Sequence, residues 1–262
     1  MSRQNYYKTR TARTRRAVDE DLVVQLVLQE RRLQPRLGTR KLHQVLSREL
    51  RELGVSIGRD RLFEVLRSRG LLVKPLPKAP HTTDSRHSLP VFRNLISEIV
   101  PTGPNQVWAS DLTYIRTREG FEYLSLIMDL YSRKVVGYHC GEDLSTAGCL
   151  ASLDQALPDL PDDSGLIHHS DRGCQYCSHE YVERLREHGI LVSMTEKNHC
   201  AENATAERLN GILKQEYALG CEFQSRRQAR AAAAQAVMLY NNRRPHFSLG
   251  LQTPSAVHSR AA

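Results

Sequence analysis

Asp111 lies in the apolar stretch QVWASDLTYIRT, with Trp108, Leu112 and Ile115 around it. A carboxylate inside a core strand is costly unless it is paired or binds a cation. Asp171 directly follows the run GLIHHS, at the place where the carboxyl end of a strand opens onto the crevice of an α/β sheet. Glu207 belongs to NATAERLNGILKQE, a helical pattern. Taken singly, each has an ordinary use, since strand-end acids cap helices and a helical glutamate is usually solvated. Together they form a cluster of oxygen ligands with few histidines, which suits Mg²⁺. Two such ions about 4 Å apart are the standard device for in-line displacement at a phosphodiester. One ion activates the attacking oxygen and the other stabilises the leaving oxygen.

A second metal-capable group is Cys174-x-x-Cys177, with His168, His169 and His179 close by. Structural zinc takes four ligands, usually as two spaced pairs, and the sequence offers one cysteine pair. The six cysteines have no framework spacing, and they are read as reduced thiols of a cytoplasmic protein.

The elements that must position these residues divide into a helical head (1–73), a proline-rich linker (74–104) and a mixed domain (105–262). In the head, AVDEDLVVQLVLQERRL repeats apolar residues at helical spacing until Pro35 and Gly38. Leu42, Val45, Leu46, Leu50 and Leu53 then share one face of a second helix, and RDRLFEVLRSR forms a third. The last two, joined by GVSIG, make a helix-turn-helix pattern whose second helix carries Arg59, Arg61, Arg67 and Arg69 outward. The linker holds six of the 11 prolines and one short helical candidate, VFRNLISEIV. Beyond it the period changes. QVWASDLTYIRT, FEYLSLIMDLYS and KVVGYHCG read as three consecutive strands, followed by helix, strand, helix, strand and two long helices. That order predicts an α/β layer with a mixed sheet.

Charge follows the same division. Residues 1–80 hold 19 basic and 8 acidic side chains, a net +11, while the other 182 residues are net −3. A polyanion engaged from the head, nucleic acid above all, is the natural partner. No stretch approaches the roughly 18 apolar residues of a membrane span. The basic start MSRQNYYKTRTARTRR has no apolar run behind it, so neither export nor insertion is expected.

WASDLTYI, HHSDRGCQY and SMTEKNHCAENATAERLNGILKQE resemble the three signature blocks of retroviral-integrase-like DDE transposases, with 35 residues between Asp171 and Glu207. The tail YNNRRPHFSLGLQTP and the head RLGTRKLHQVLSRELRELGVSIGRDRLFEVLRSRGLL are similar to those of one branch, the insertion-sequence-three family. Glu202-Asn203-Ala204 stands where that family usually has Asp-Asn-Ala, Asn198 where Gly is common and Cys200 where Pro is usual. The resemblance implies an RNase H-like five-stranded mixed sheet flanked by helices and preceded by an all-α helix-turn-helix domain. It implies Asp111, Asp171 and Glu207 as ligands of two Mg²⁺ ions, with Mn²⁺ able to substitute. The activity implied is cleavage at transposon ends and transfer of the 3′-OH into target DNA. The partners implied are terminal inverted repeats, further copies of the chain assembled on DNA, and an upstream-frame product to which this second-frame chain, opening SRQNYY, is fused or bound. The protein would then work on the bacterial nucleoid.

On this reading Asn203 and Lys214 share a helix face with Glu207, and Lys214 meets a phosphate near the scissile bond. Arg243, Arg244 and His246 form a second DNA-facing group, and Arg40, Lys41, Arg59, Arg61 and Arg67 contact DNA from the head. Two rivals remain: a DNA-binding regulator with a vestigial acid cluster, and an RNA-cleaving RNase H relative that leaves the helix-turn-helix unexplained.

Overall fold

A computed structural model describes residues 19–74, 89–160, 165–196 and 203–260, and the chain forms two compact units, Met1–Leu76 and Pro77–Ala262. The basic start, three of the linker prolines (Pro75, Pro77, Pro80) and the loop positions Asn198, Cys200 and Glu202 lie outside the described residues.

In the first unit, helix α1 (residues 19–33), α2 (Thr39–Glu52) and α3 (Arg59–Ser68) turn their apolar faces inward. Val23 and Val27, then Leu42, Leu46 and Leu50, then Leu62 and Leu66 make one core, each set at the spacing that brings side chains onto one helix face. Gly54 and Gly70 end α2 and α3 with positive φ, 70° and 66°. Their left-handed backbone lets Val55 N–H reach Leu50 O at 2.8 Å and Leu71 N–H reach Leu66 O at 2.7 Å, which satisfies carbonyls that helix ends leave open.

The second unit is built on β1 (Val107–Thr117), β2 (Gly120–Asp129), β3 (Val135–Gly141), β4 (Ile167–Ser170) and β5 (Leu191–Met194), in the order β3-β2-β1-β4-β5. The first three strands are an antiparallel meander, while β4 lies parallel to β1 and β5 parallel to β4. The mixed five-stranded sheet is thus the expected one. Helices α4 (Thr146–Ala156) and α5 (His179–Glu187) cover one face, closing on Trp108, Ile127 and Met194. Helices α6 (Ala204–Glu216) and α7 (Arg226–Asn242) cover the other, closing on Ile115, Leu124, Leu126 and Met128. The alanine-rich α7 buries Ala229, Ala233 and Ala236, whose small side chains let the helix lie close to the sheet.

The stretch 91–100 is not a helix. Asn94 Oδ1 accepts the Ile96 N–H at 2.9 Å, a local turn that competes with helix, and the Leu95 N–H is given to Ser193 Oγ in β5 at 2.9 Å. Pro90 and Pro101 bound the segment. A final helix, α8 (Pro254–Arg260), which periodicity did not reveal, is tied to the turn after β2, where Ser132 Oγ lies 2.9 Å from His258 Nδ1 and 2.6 Å from Asp129 Oδ1. Among the described residues, no helix is long and apolar enough to cross a membrane.

Candidate active site

Strand register brings the first two acids together. Val107, Trp108 and Ala109 pair with Ile167, His168 and His169, a constant offset in two parallel strands. Continued two residues past the last pair, the same offset leads from Asp111 to Asp171, just past the carboxyl end of β4, and the charge of Asp171 acts on Asp111. On its other side β1 continues against β2 to Thr117, so the crevice opens on the β4 side alone. Asp111, Thr113 and Ile115 alternate onto the face covered by α6, and Glu207 lies in the first turn of that helix.

The electrostatics agree with this placement. The Asp111 carboxyl is pushed up to about 7, by burial first and then by the negative charge of Asp171, with a smaller contribution from Glu207. Opposing hydrogen bonds come from the Leu112 N–H at 2.9 Å on Oδ1 and from Asn210 Nδ2 at 2.7 Å on Oδ2. Asp171 Oδ1 accepts the Gly173 N–H at 2.9 Å. A Cβ at 173 would stand 3.0 Å from that oxygen, so any larger residue would press on the Asp171 carboxylate. Glu207 is exposed and is the weaker of the two influences on Asp111. Among the described residues no three His, Cys, Asp or Glu side chains converge closely enough to hold one ion, and the part of the site already drawn together is the Asp111–Asp171 pair.

On the opposite face of β1, Ser110 Oγ and Tyr181 Oη lie 2.6 and 3.0 Å from His168 Nε2, two hydroxyls that both donate if the nitrogen is bare. Burial, reinforced by His169, holds His168 down to about 3 from an ordinary 6.5, so the ring is neutral. The unfolded chain binds this proton near 6.5 and the folded chain does not until about 3. Stability is therefore whole above 6.5 and falls between 6.5 and 3, by about 1.4 kcal/mol per pH unit inside that window. Urea midpoints measured from pH 7 to pH 4 should decline for the wild type and decline less steeply for His168→Asn; equal slopes would refute a buried neutral histidine.

The zinc candidates point elsewhere. His169 Nδ1 bonds Ser193 Oγ at 2.9 Å, Cys177 Sγ is buried 3.6 Å from Met194 Sδ, and Cys174 and His179 are exposed.

The residues expected to face DNA divide into two groups. Arg40, Arg59, Arg67 and Arg243 are exposed. Lys41 is not, at 9% exposure. Arg61 is held between Glu20 and Glu64, and Arg69 by Asp21, so the outward row expected on α3 is partly spent inside the head. Arg244 is 3% exposed and makes a two-pronged ion pair with Glu216 at 2.8 Å, so it does not face solvent. His246 is half-buried, edge-on to Tyr240 at 5.3 Å. Asn203 is buried, its Nδ2 donating to Ser110 O at 3.2 Å. Lys214 stays near the acids: its Nζ lies 4.3 Å from the centre of the Tyr114 ring and feels the Asp111 charge, while burial lowers its proton affinity. Sequence reasoning missed Asn210, although an asparagine one helical turn from Glu207, in a helix interior it disfavours, was a signal. It also missed Arg93 and Arg172, which line a cavity of about 490 Å³ with Val91, Phe92 and Glu196.

A β3-β2-β1-β4-β5 sheet with helices on both faces, one acid on β1 and another just past the end of the adjoining β4 defines an integrase-type catalytic core. The integrase core domain family matches residues 101–200, and a second family of the same description matches 188–254. The chain is 36% identical over 264 residues to the uncharacterized 31 kDa protein of insertion element IS600 from Shigella sonnei, covering 99% of this chain and 96% of that one. It is 35% identical over 217 residues to transposase InsF of insertion sequence IS3A from Escherichia coli K12, covering 82% of this chain and 75% of the relative. In fold it is similar to a chain of the simian T-cell lymphotropic virus intasome, with TM-score 0.50 and 18% identity over 84% of this chain and 74% of that one. The chain belongs to the IS3 family of DDE transposases, and its function is DNA transposition.

Proposed function

We propose that Asp111, Asp171 and Glu207 hold two Mg²⁺ ions, which Mn²⁺ can replace, and that the protein cuts the ends of its element and joins the exposed 3′-OH to target DNA. The carrying observation is the β1–β4 register that leads from Asp111 to Asp171. Burial first, and then the negative charge of Asp171, disfavour the ionised form of Asp111, and hard oxygen donors in that condition fit a divalent cation. When bound, the ions would activate the attacking oxygen and neutralise the leaving one.

The chain's own groups do the rest. The Gly173 N–H and the Asn210 amide fix the carboxylates, and Lys214 offers an ammonium at the edge of the cluster for a phosphate of the reacting strand. Arg243, at the end of α7, and Arg93 with Arg172 extend the backbone contacts away from the acids, and His246 lies beside Arg243 in the chain. In the head, Arg40, Arg59 and Arg67 approach the terminal repeat, with α2 and α3 as the helix-turn-helix. Copies of the chain assemble on the nucleoid DNA, with the upstream-frame product as fusion or partner.

The test is a gel assay on terminal-repeat DNA with EDTA, then Mg²⁺. Metal-dependent nicking and joining are expected, whereas a pure binder would shift the DNA without nicking it. Affinity should fall steeply with salt. Arg59→Ala or Arg67→Ala in the full chain should flatten the slope of log K against log salt by about 1 if each meets a phosphate. A loss confined to the terminal-repeat sequence would instead make them base-reading residues.

A further inference from the structure

Asn210 stands one helical turn beyond Glu207, and from α6 its Nδ2 reaches across to Asp111 Oδ2 on β1 at 2.7 Å. The other oxygen of that carboxylate is held by the Leu112 N–H. One donor is local to the strand and the other belongs to the helix that also carries an acid of the cluster. At the N-cap of α6, just before its first turn, Asn203 grips the neighbouring residue through its backbone, its Nδ2 on Ser110 O at 3.2 Å. One asparagine inside α6 and one at its N-cap thus hold two consecutive residues of the strand that bears the first acid.

These amides are expensive as packing. Asn203 and Asn210 are 5% and 8% exposed, and Oδ1 of each is buried with no hydrogen-bond partner among the described residues. A buried carbonyl oxygen without a donor costs free energy, and at Asn210, inside α6, asparagine is also a poor helix former. Leucine, the isosteric choice and the kind of residue that flanks Asn210 on the packed face at Leu209 and Leu213, would avoid both costs. What leucine cannot do is donate to Asp111.

We propose that Asn210 is a positioning residue of the acid cluster: it fixes the rotamer of Asp111 and ties the separation of Asp111 from Glu207 to the docking of α6 on β1. This rests on the reading of Asp111 as a metal ligand. Glu207 and Asn210 share one helix face, so a shift of α6 moves the third acid and releases the first at the same time. A ligating carboxylate whose hydrogen-bond partner is removed loses about 10–100-fold in metal affinity.

The test is Mn²⁺ alone titrated into the full chain, followed by paramagnetic resonance of the free ion, with thermal unfolding run in parallel. Asn210→Ala should weaken Mn²⁺ binding about tenfold or more, and Asn210→Ser, which keeps a hydroxyl donor, should recover part of the loss. Should the alanine variant fail to fold, the isosteric Asn210→Leu carries the same expectation without leaving a cavity. A folded variant without the donor that binds Mn²⁺ as tightly as the wild type overturns this inference and leaves the metal reading intact. A wild type that takes up no Mn²⁺, or takes it up as well after Asp111→Asn, overturns the metal reading and this inference with it.

Discussion

Asp111→Asn, Asp171→Asn and Glu207→Gln should each lower cleavage and strand transfer about 10³-fold or more, because a bound ion supplies several kcal/mol of transition-state charge stabilisation and every 1.36 kcal/mol is tenfold in rate. The substitutions are nearly isosteric, so their effect is the loss of one anionic ligand. They differ in what they do to the metal-free protein. Asp111 is half-buried and repelled by Asp171, so Asp111→Asn removes a charge the fold tolerates poorly and should raise the melting temperature. Glu207 is exposed in the first turn of α6, where the helix dipole favours its charge, so Glu207→Gln should leave stability nearly unchanged. On the proposed role of the basic head, DNA binding should survive in all three. The measurement is product formation from labelled terminal-repeat duplex in Mg²⁺, paired with a binding curve in EDTA. A variant that keeps a substantial fraction of wild-type activity would remove that residue from the ligand set, and one that also loses DNA binding would indict the fold.

Asp111 and Asp171 stood out in the sequence because each broke a local rule, whereas Glu207, in an ordinary helical pattern, broke none. Asp111 sits in an apolar strand and Asp171 at the end of a buried one, and alternation alone gave strands whose order then follows from the meander and the two crossovers. The pairing offset that leads from one to the other was not legible, since nothing local fixes the register between strands so far apart in the chain. The partner of a charge was equally hidden. Arg61 and Arg244 read as surface cations because periodicity records which face a residue occupies and says nothing of a carboxylate 41 or 28 positions away. VFRNLISEIV has helical periodicity, yet its backbone groups are taken by Asn94 and Ser193 instead. Asn241 is a related case: nothing in its place near the end of a long helical pattern signals that it clamps β3, accepting the Val135 N–H and donating to Val135 O at 2.9 Å each.

Arg244 and Arg243 are adjacent in the sequence and should behave as opposites. The Arg244 guanidinium places Nε and one Nη 2.8 Å from the two Glu216 carboxylate oxygens, lies 5.7 Å from the centre of the Tyr240 ring, and joins the end of α7 to the end of α6. Removing one partner of a buried, hydrogen-bonded pair leaves the other uncompensated, so Arg244→Ala should destabilise the core by about 3 kcal/mol. That is the low end of the usual range, because Glu216 keeps some contact with water at 22% side-chain exposure. Arg244→Met combined with Glu216→Leu should recover much of the loss, since replacing both members by apolar groups also removes their desolvation cost. Arg243→Ala, at an exposed position, should change stability by no more than about 0.5 kcal/mol. Its effect should fall on DNA affinity, lessening the salt dependence by about one phosphate contact. Urea unfolding and salt-dependent binding on the same four proteins separate the two roles. If Arg244→Ala unfolds like the wild type but binds DNA weakly, the ion pair is not what holds α6 to α7, and Arg244 belongs with Arg243 on the DNA side.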